Sequence, residues 1–133
     1  MVDFMLADSM FARPRYLPPS AWVGHLPFAS WLVERCAPGV IVELGTHAGA
    51  SYMGFCQAVY DHGLPTRCFA IDTWQGDEHA GHYSDEIYLT LKVDHDRDYA
   101  GFSQLLRTTF DDALPQFADG SIDVLHIDGL HTY

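Results

Sequence analysis

Basic residues are what this sequence has least of. Seven Lys and Arg stand against eighteen Asp and Glu in 133 residues, a formal net charge of -11. A surface for nucleic acid or anionic lipid needs clustered Lys and Arg. These seven are scattered, so neither partner is expected. Long apolar runs are also missing. Nothing approaches the roughly 20 residues of a membrane span, and no basic segment leads into an apolar one near the start. The expectation is a soluble, cytoplasmic protein. Cysteine is sparse and odd in number: Cys36, Cys56 and Cys68 fall in predicted helix or strand. They read as buried reduced thiols rather than a disulfide framework. There is no internal repeat and no low-complexity tract. The chain is 48% hydrophobic, enough for one compact domain with its own core, and its acidity reads as a solubility feature.

Residues 1–19 mix Met, Phe, Arg and Pro without a stable period and read as an arm or loose short helix closed by Pro18-Pro19. From Pro27, the apolar residues Phe28, Trp31, Leu32 and Val33 recur at helical spacing. Proline suits a first helical turn, and Pro38-Gly39 ends the element. Four strand candidates follow, over 40–44, 68–71, 103–108 and 122–127, with Gln104 and Arg107 interrupting the third. They are near-continuous apolar runs, as in parallel sheets covered on both faces. Helical stretches over 51–61, 84–99 and 111–117 separate them, and this alternation predicts a doubly wound α/β sheet. Residues 73–83 form a long polar connection of the length that often covers a site.

The most informative segment is Val40-Ile41-Val42-Glu43-Leu44-Gly45-Thr46-His47-Ala48-Gly49-Ala50-Ser51. An apolar strand stops at an acidic residue, turns through two glycines and reaches a hydroxyl residue that can open a helix. Such a turn sets bare backbone and a helix N-terminus beside a small charged ligand. In open α/β sheets ligands sit at the carboxyl ends of strands, and Asp72, Thr108-Thr109 and Asp128 occupy the other strand ends. Asp72 follows the turn by roughly the 20-odd residues at which a carboxylate meets ribose hydroxyls. A dinucleotide site wants Gly-x-Gly-x-x-Gly, but His47 stands where its second glycine would be, which opposes a pyrophosphate. A nucleoside with an amino-acid end fits better. S-adenosylmethionine offers an ammonium for acidic or carbonyl acceptors, a carboxylate for backbone donors and Ser51, and a ribose for Asp72.

The turn segment resembles the first motif of class I S-adenosylmethionine-dependent methyltransferases, nearest the catechol-type and macrocin-type O-methyltransferases. Ile71-Asp72-Thr73-Trp74-Gln75-Gly76-Asp77 is similar to the second motif of a bacterial branch of that family. The stretch from Ser121 through His126, Asp128 and His131 to Tyr133 resembles that branch's fourth-strand motif. The likeness runs from about Ser20 onward. It implies a Rossmann-like domain over 39–133 that binds S-adenosylmethionine, preceded by an arm and helix over 1–38. By that likeness Gly45, His47, Gly49 and Ser51 hold the methionine end, Glu43 supports the ammonium, and Asp72 takes the ribose. Trp74, Thr109 and Phe110 flank the adenine. For the glycines the competing reading is a tight turn without ligand, and for Trp74 ordinary core packing.

Methyl transfer requires the acceptor oxygen to be aligned and relieved of its proton. The resemblance places Asp128 and His131 at that task, with His131 standing where catechol-type relatives carry a lysine base. It also makes Asp128 a ligand for a divalent cation such as Mg2+. The histidines of Asp77-Glu78-His79-Ala80-Gly81-His82 read as a substrate-facing lid rather than a zinc site, because no Cys pair accompanies them. His126 reads as a hydrogen-bonded core residue, and His25 as either a mouth residue or a helix start. A full sheet of this family has seven strands, so the fourth is expected to form an edge. Three explanations are open: truncation, which is favoured, cover from another chain as in a homo-oligomer, or a degenerate remnant. The function expected is methyl transfer, O-directed, onto a small hydroxylated acceptor such as a sugar or secondary metabolite. The rivals are a catalytically inactive nucleoside-binding or assembly module and, opposed by His47, a nicotinamide-dependent oxidoreductase.

Overall fold

The computed structural model describes residues 7–78 and 81–129. A 3-10 turn at Asp8–Phe11 and another at Ala21–His25 lead into helix α1 (Leu26–Cys36). Then come strand β1 (Val40–Leu44), helix α2 (Ala50–Asp61) and strand β2 (Arg67–Asp72). A two-residue hairpin, β3 (Gly76–Asp77) with β4 (Gly81–His82), precedes helix α3 (Glu86–Asp98), strand β5 (Ser103–Arg107), helix α4 (Phe110–Ala113) and strand β6 (Val124–Ile127). The main sheet has the order β5-β2-β1-β6 and all its pairs are parallel. This is the doubly wound, Rossmann-like arrangement expected, and β6 has a single strand neighbour among the described residues.

β1 lies inside the sheet because its side chains can be buried on both faces. Ile41 faces a large core with Ala29 and Val33 of α1, Tyr52, Met53 and Phe55 of α2, and Trp74 and Leu91. Val42 faces a smaller cluster with Ile71 and Ala113, flanked by Phe69, Phe110 and Phe117. The second face is thinly covered, and Leu114, Leu125 and Ile127 remain exposed. β5 forms despite Gln104 and Arg107 because it is the opposite edge strand, where both side chains reach solvent. Arg107 also donates from Nε to the Thr73 carbonyl at 3.2 Å.

Several boundaries depart from the expected ones for identifiable reasons. The helix expected over 111–117 ends at Ala113 and continues as a 3-10 turn at Leu114–Gln116. Pro115 lacks the N–H that an α-helix would use there. The last strand starts at Val124 rather than at residue 122, because Asp123 turns aside to accept from the amides of Gly39 (2.9 Å) and Val40 (3.0 Å). Cys56 and Cys68 are buried and free, as expected, whereas Cys36 at the end of α1 is exposed, which corrects the expectation for that residue. The early arm is pinned rather than loose. Gln57 Nε2 donates to the Arg13 carbonyl at 2.7 Å, and the Arg15 amide donates back to Gln57 Oε1 at 2.9 Å. Among the described residues no helix is long and apolar enough to cross a membrane.

Candidate functional site

The carboxyl ends of β1, β2 and β6 meet at the glycine turn. Gly45 begins it by donating to the Ile71 carbonyl at 2.9 Å, and Asp128 donates its amide to the Leu44 carbonyl at 2.8 Å. Gly45 has φ +84°, and a Cβ there would stand 2.4 Å from the Gly129 Cα. Only glycine lets the end of β6 cross the turn so closely. His47 continues in the left-handed region at φ 50°, and Gly49 at φ +85° starts α2.

Asp72 points at this turn and holds it. Its Oδ2 accepts from the amides of Thr46 (2.8 Å) and His47 (2.9 Å), and its Oδ1 from the amide of Trp74 (2.8 Å). Trp74 Nε1 donates to the His47 carbonyl at 2.8 Å, and Tyr16 Oη to the Ala48 carbonyl at 2.9 Å. Four of these hydrogen bonds reach the turn itself, and the fifth orients the Asp72 carboxylate behind it. The indole of Trp74 is fully buried against Tyr88, with ring centroids 4.9 Å apart, so its place is in the core behind the turn. His47 is exposed and meets Tyr83 edge-on at 5.2 Å. Burial first, then Asp72 and Asp77, push the Tyr83 hydroxyl pKa up to about 12.

A cavity of about 100 Å³ lies over the turn, lined by Gly45 through Ser51, by Asp128, and by Pro19, Ser20 and Trp22. Clefts for drug-sized ligands run to about 300–1,000 Å³, so this one suits an amino-acid end rather than a whole nucleoside. Its walls differ in sign. Gly49 gives α2 no side-chain cap, so the first amides of that helix face the cavity without intrahelical acceptors and with the positive end of the dipole. Asp128 supplies a carboxylate from the β6 side. Sequence reasoning missed the contribution of Pro19, Ser20 and Trp22, because a 3-10 turn capped by Ser20 leaves no periodic signal.

Behind the cavity wall lies Glu43, fully buried on β1. Ser51 Oγ donates to its Oε2 at 2.6 Å, and His126 Nδ1 donates to the same oxygen at 2.8 Å. Its Oε1 and the hydroxyl of Thr46 make no other hydrogen bond among the described residues, and the Thr46 side chain interacts with the carboxylate itself. Because Ser51 spends its proton on Glu43, it can offer a ligand only lone pairs. His126 is hydrogen-bonded, as expected, and its ring sits against Trp22 (5.2 Å) and Phe55 (5.7 Å). Burial raises the Glu43 pKa, with His126 and Ser51 pulling it back. The carboxylate beside His126 raises that imidazole's pKa, with burial opposing. Both shifts favour the protonated form in the fold, so both contributions are lost as pH rises. The His126 contribution is complete below its reference value of about 6.5 and fades as pH climbs through the higher folded value. His126→Asn keeps a donor near the Nδ1 position but does not titrate. Its melting temperature is expected to fall less than that of the wild type between pH 6 and 9, and parallel profiles would contradict this.

The remaining candidates are distributed around the site. Thr109 caps α4, its hydroxyl accepting from the Asp112 amide at 3.2 Å. Phe110 packs in the smaller cluster, and a Cβ on Gly129 would stand 2.6 Å from its Cζ. Neither lines the cavity. His79 and His131 lie outside the described residues. A hard divalent cation takes six or more oxygen ligands. Among the described residues no group of three His, Cys, Asp or Glu side chains is gathered to hold one. Asp128 alone does not fit a magnesium site. The residues over the turn do fit S-adenosylmethionine, since the uncapped start of α2 and the Asp128 carboxylate line one hollow of amino-acid size.

Residues 42–133 match the family described as a methyltransferase domain, and the chain belongs to that family. The fold agrees. Cofactor-bound Rv0187 from MTB superposes with a TM-score of 0.61 at 20% identity, covering 91% of this chain and 49% of that one. The O-methyltransferase TomG from Streptomyces achromogenes, solved with S-adenosylmethionine, gives 0.59 at 18% identity, covering 85% and 46%. The chain is also 52% identical over 132 residues to the uncharacterized protein y4gI of Sinorhizobium fredii, covering 98% of this chain and 14% of that protein. It thus spans under half the length of those two structures and about a seventh of that curated relative.

Proposed function

We propose that this chain binds S-adenosylmethionine over the Gly45 turn and serves methyl transfer to a hydroxyl of a small acceptor. The observation that carries the reading is the Asp72-pinned turn under a hollow with helix amides on one wall and Asp128 on the other. Residues 39–133 form the cofactor unit and residues 1–38 its flank. The amides opening α2 receive the ligand's carboxylate, and Glu43, behind the wall, supports its ammonium. Asp72 retains lone-pair capacity beyond its three amides for a ribose hydroxyl, and Phe110 stands on the far side of Gly129 for the base. The cofactor supplies an electrophilic methyl group on sulfonium. Asp128, on the cavity wall, accepts the proton of the acceptor hydroxyl; His131 shares that role.

Calorimetry with S-adenosylmethionine, S-adenosylhomocysteine and NAD tests the cofactor, and labelled methyl transfer to a panel of hydroxylated sugars and phenols tests the reaction. Saturable binding of the two adenosyl ligands, none of NAD, and label in one acceptor class are expected. Binding without turnover on any acceptor would favour a nucleoside-binding module. NAD binding would overturn the reading.

A further inference from the structure

A larger hollow lies at the other pole of the sheet. It measures about 290 Å³ and opens at the amino ends of β2 and β5, with Leu64, Pro65, Arg67, Phe69, Gly101 and Phe102 among its walls. Arg67 opens β2 and Asp72 closes it, so a strand rise of about 3.3 Å per residue sets the two sites roughly 16 Å apart. None of the lining residues belongs to β6 or to the glycine turn. The polarity of this hollow runs against that of the chain. Eighteen acidic residues face seven basic ones, and Arg15, Lys92, Arg97 and Arg107 each have a carboxylate partner. Arg67 has none among the described residues, and no Asp or Glu lines the hollow. Its amide donates to the Gly39 carbonyl at 2.9 Å, and alternation along β2 puts its side chain on the same face as Phe69. The guanidinium carbon stands over that ring, 5.4 Å from its centroid. This contact holds the side chain at the hollow and leaves its N–H fork unspent.

We infer that this hollow binds a small aromatic anion, an aryl carboxylate or aryl phosphate, at a site separate from the glycine turn. An arginine fork meets a carboxylate or phosphate in two parallel hydrogen bonds. Phe102, Leu64 and Pro65 supply apolar wall for a ring, and Gln104, level with Phe69 in the register of β5, adds an exposed side-chain amide. The other polar side chains of the lining are committed elsewhere. Thr66 Oγ1 donates to the Pro38 carbonyl at 2.6 Å, and Ser103 Oγ is held by Tyr52 and, at 2.7 Å, by His95. Recognition therefore falls to one cation beside an apolar wall. A bare inorganic anion would leave the wall unused, and a neutral ring would leave the fork unused. The hollow is at the lower edge of the range of about 300–1,000 Å³ for drug-sized ligands. The inference is independent of the cofactor proposed for the Gly45 turn.

Amide shifts in two-dimensional NMR of the full chain locate the ligand and give its affinity, at low ionic strength because Arg67 is exposed and screened by salt. Benzoate and phenyl phosphate are the probes, with benzyl alcohol and benzamidine as neutral and cationic controls. One or both anions are expected to saturate with a Kd of about 0.1–10 mM. The shifts should centre on Arg67, Gly101 and Phe102 and spare Gly45 to Ser51, and the tighter probe identifies the head group. The controls should bind about tenfold more weakly or worse, and Arg67→Gln should weaken the anion by a similar factor. Gly101 has a φ outside the left-handed region and open space around its Cβ position. Gly101→Leu therefore narrows the hollow with Arg67 intact, and is expected to weaken the anion about threefold or more. It carries the test alone should Arg67→Gln not fold by circular dichroism. Absence of saturable shifts, shifts centred on the Gly45 turn, benzyl alcohol binding as well as benzoate, or unchanged affinity in either variant would overturn the inference.

Discussion

Gly45→Ala is expected to unfold a large part of the population and to abolish binding of S-adenosylhomocysteine. Two effects add. A residue with a Cβ at φ +84° sits in a strained region, at about 1–3 kcal/mol. The Cβ also meets backbone, with Gly129 Cα at 2.4 Å, Gly129 N at 2.5 Å and the Asp128 carbonyl carbon at 2.7 Å. Backbone cannot rotate away as a side chain can, so overpacking contributes about another 1–3 kcal/mol. The sum, about 2–6 kcal/mol, is a large share of a small domain's stability of about 5–15 kcal/mol. Gly49 is an instructive contrast. A Cβ there meets Leu91 Cδ1 at 2.5 Å, the movable end of a side chain, so Gly49→Ala should cost less. Urea denaturation measures both variants. A Gly45→Ala midpoint equal to that of the wild type would show that β6 does not cross the turn as described.

Asp72→Ala is expected to lower the stability of the ligand-free chain by about 2–4 kcal/mol and to weaken S-adenosylhomocysteine binding by tenfold or more. Hydrogen bonds to a charged acceptor contribute about 1.5–3 kcal/mol each. Asp72 receives three, one of them from the buried Thr46. Solvent can replace part of this at exposed His47, which keeps the total below the sum. The ligand-free measurement discriminates between two roles. A carboxylate that only gripped ribose would leave the unliganded chain as stable as before, whereas one that holds the turn would not. Asp72→Asn should fall between, because an amide oxygen can accept from some of these donors while its NH2 group faces the others. Denaturation without ligand, followed by calorimetry on the folded fraction, separates the effects.

These two residues show how far the sequence could be read. The β1 run, the two glycines and the opening of α2 are local features, and all three stand where the pattern places them. Asp72 and Asp128 at strand ends are legible for the same reason, since an apolar run stopping at a carboxylate is visible in one dimension. What the carboxylate touches is not. That Asp72 binds the amides of Thr46 and His47 depends on β1 and β2 lying side by side, and the ribose analogy points to a ligand without revealing the turn as a partner. Trp74 is a similar case: an aromatic after a strand end reads as a base-stacking candidate, yet its left-handed backbone (φ 53°) carries the indole into the core. The pairing of Glu43 with His126 becomes legible only once β1 and β6 are set in register, which aligns the two residues. The shortened helix at Phe110–Ala113 follows from Pro115, a local signal that the apolar spacing of the segment obscures.

The central claim is that the cavity over Gly45 receives the amino-acid end of an adenosyl ligand. A crystal structure of the chain with S-adenosylhomocysteine tests it most directly. The account predicts the ligand carboxylate against the first amides of α2, its ammonium on the Glu43 side, and its ribose beside Asp72. A ligand bound in the reverse sense, or seated away from the Gly45–Ser51 turn, would contradict it.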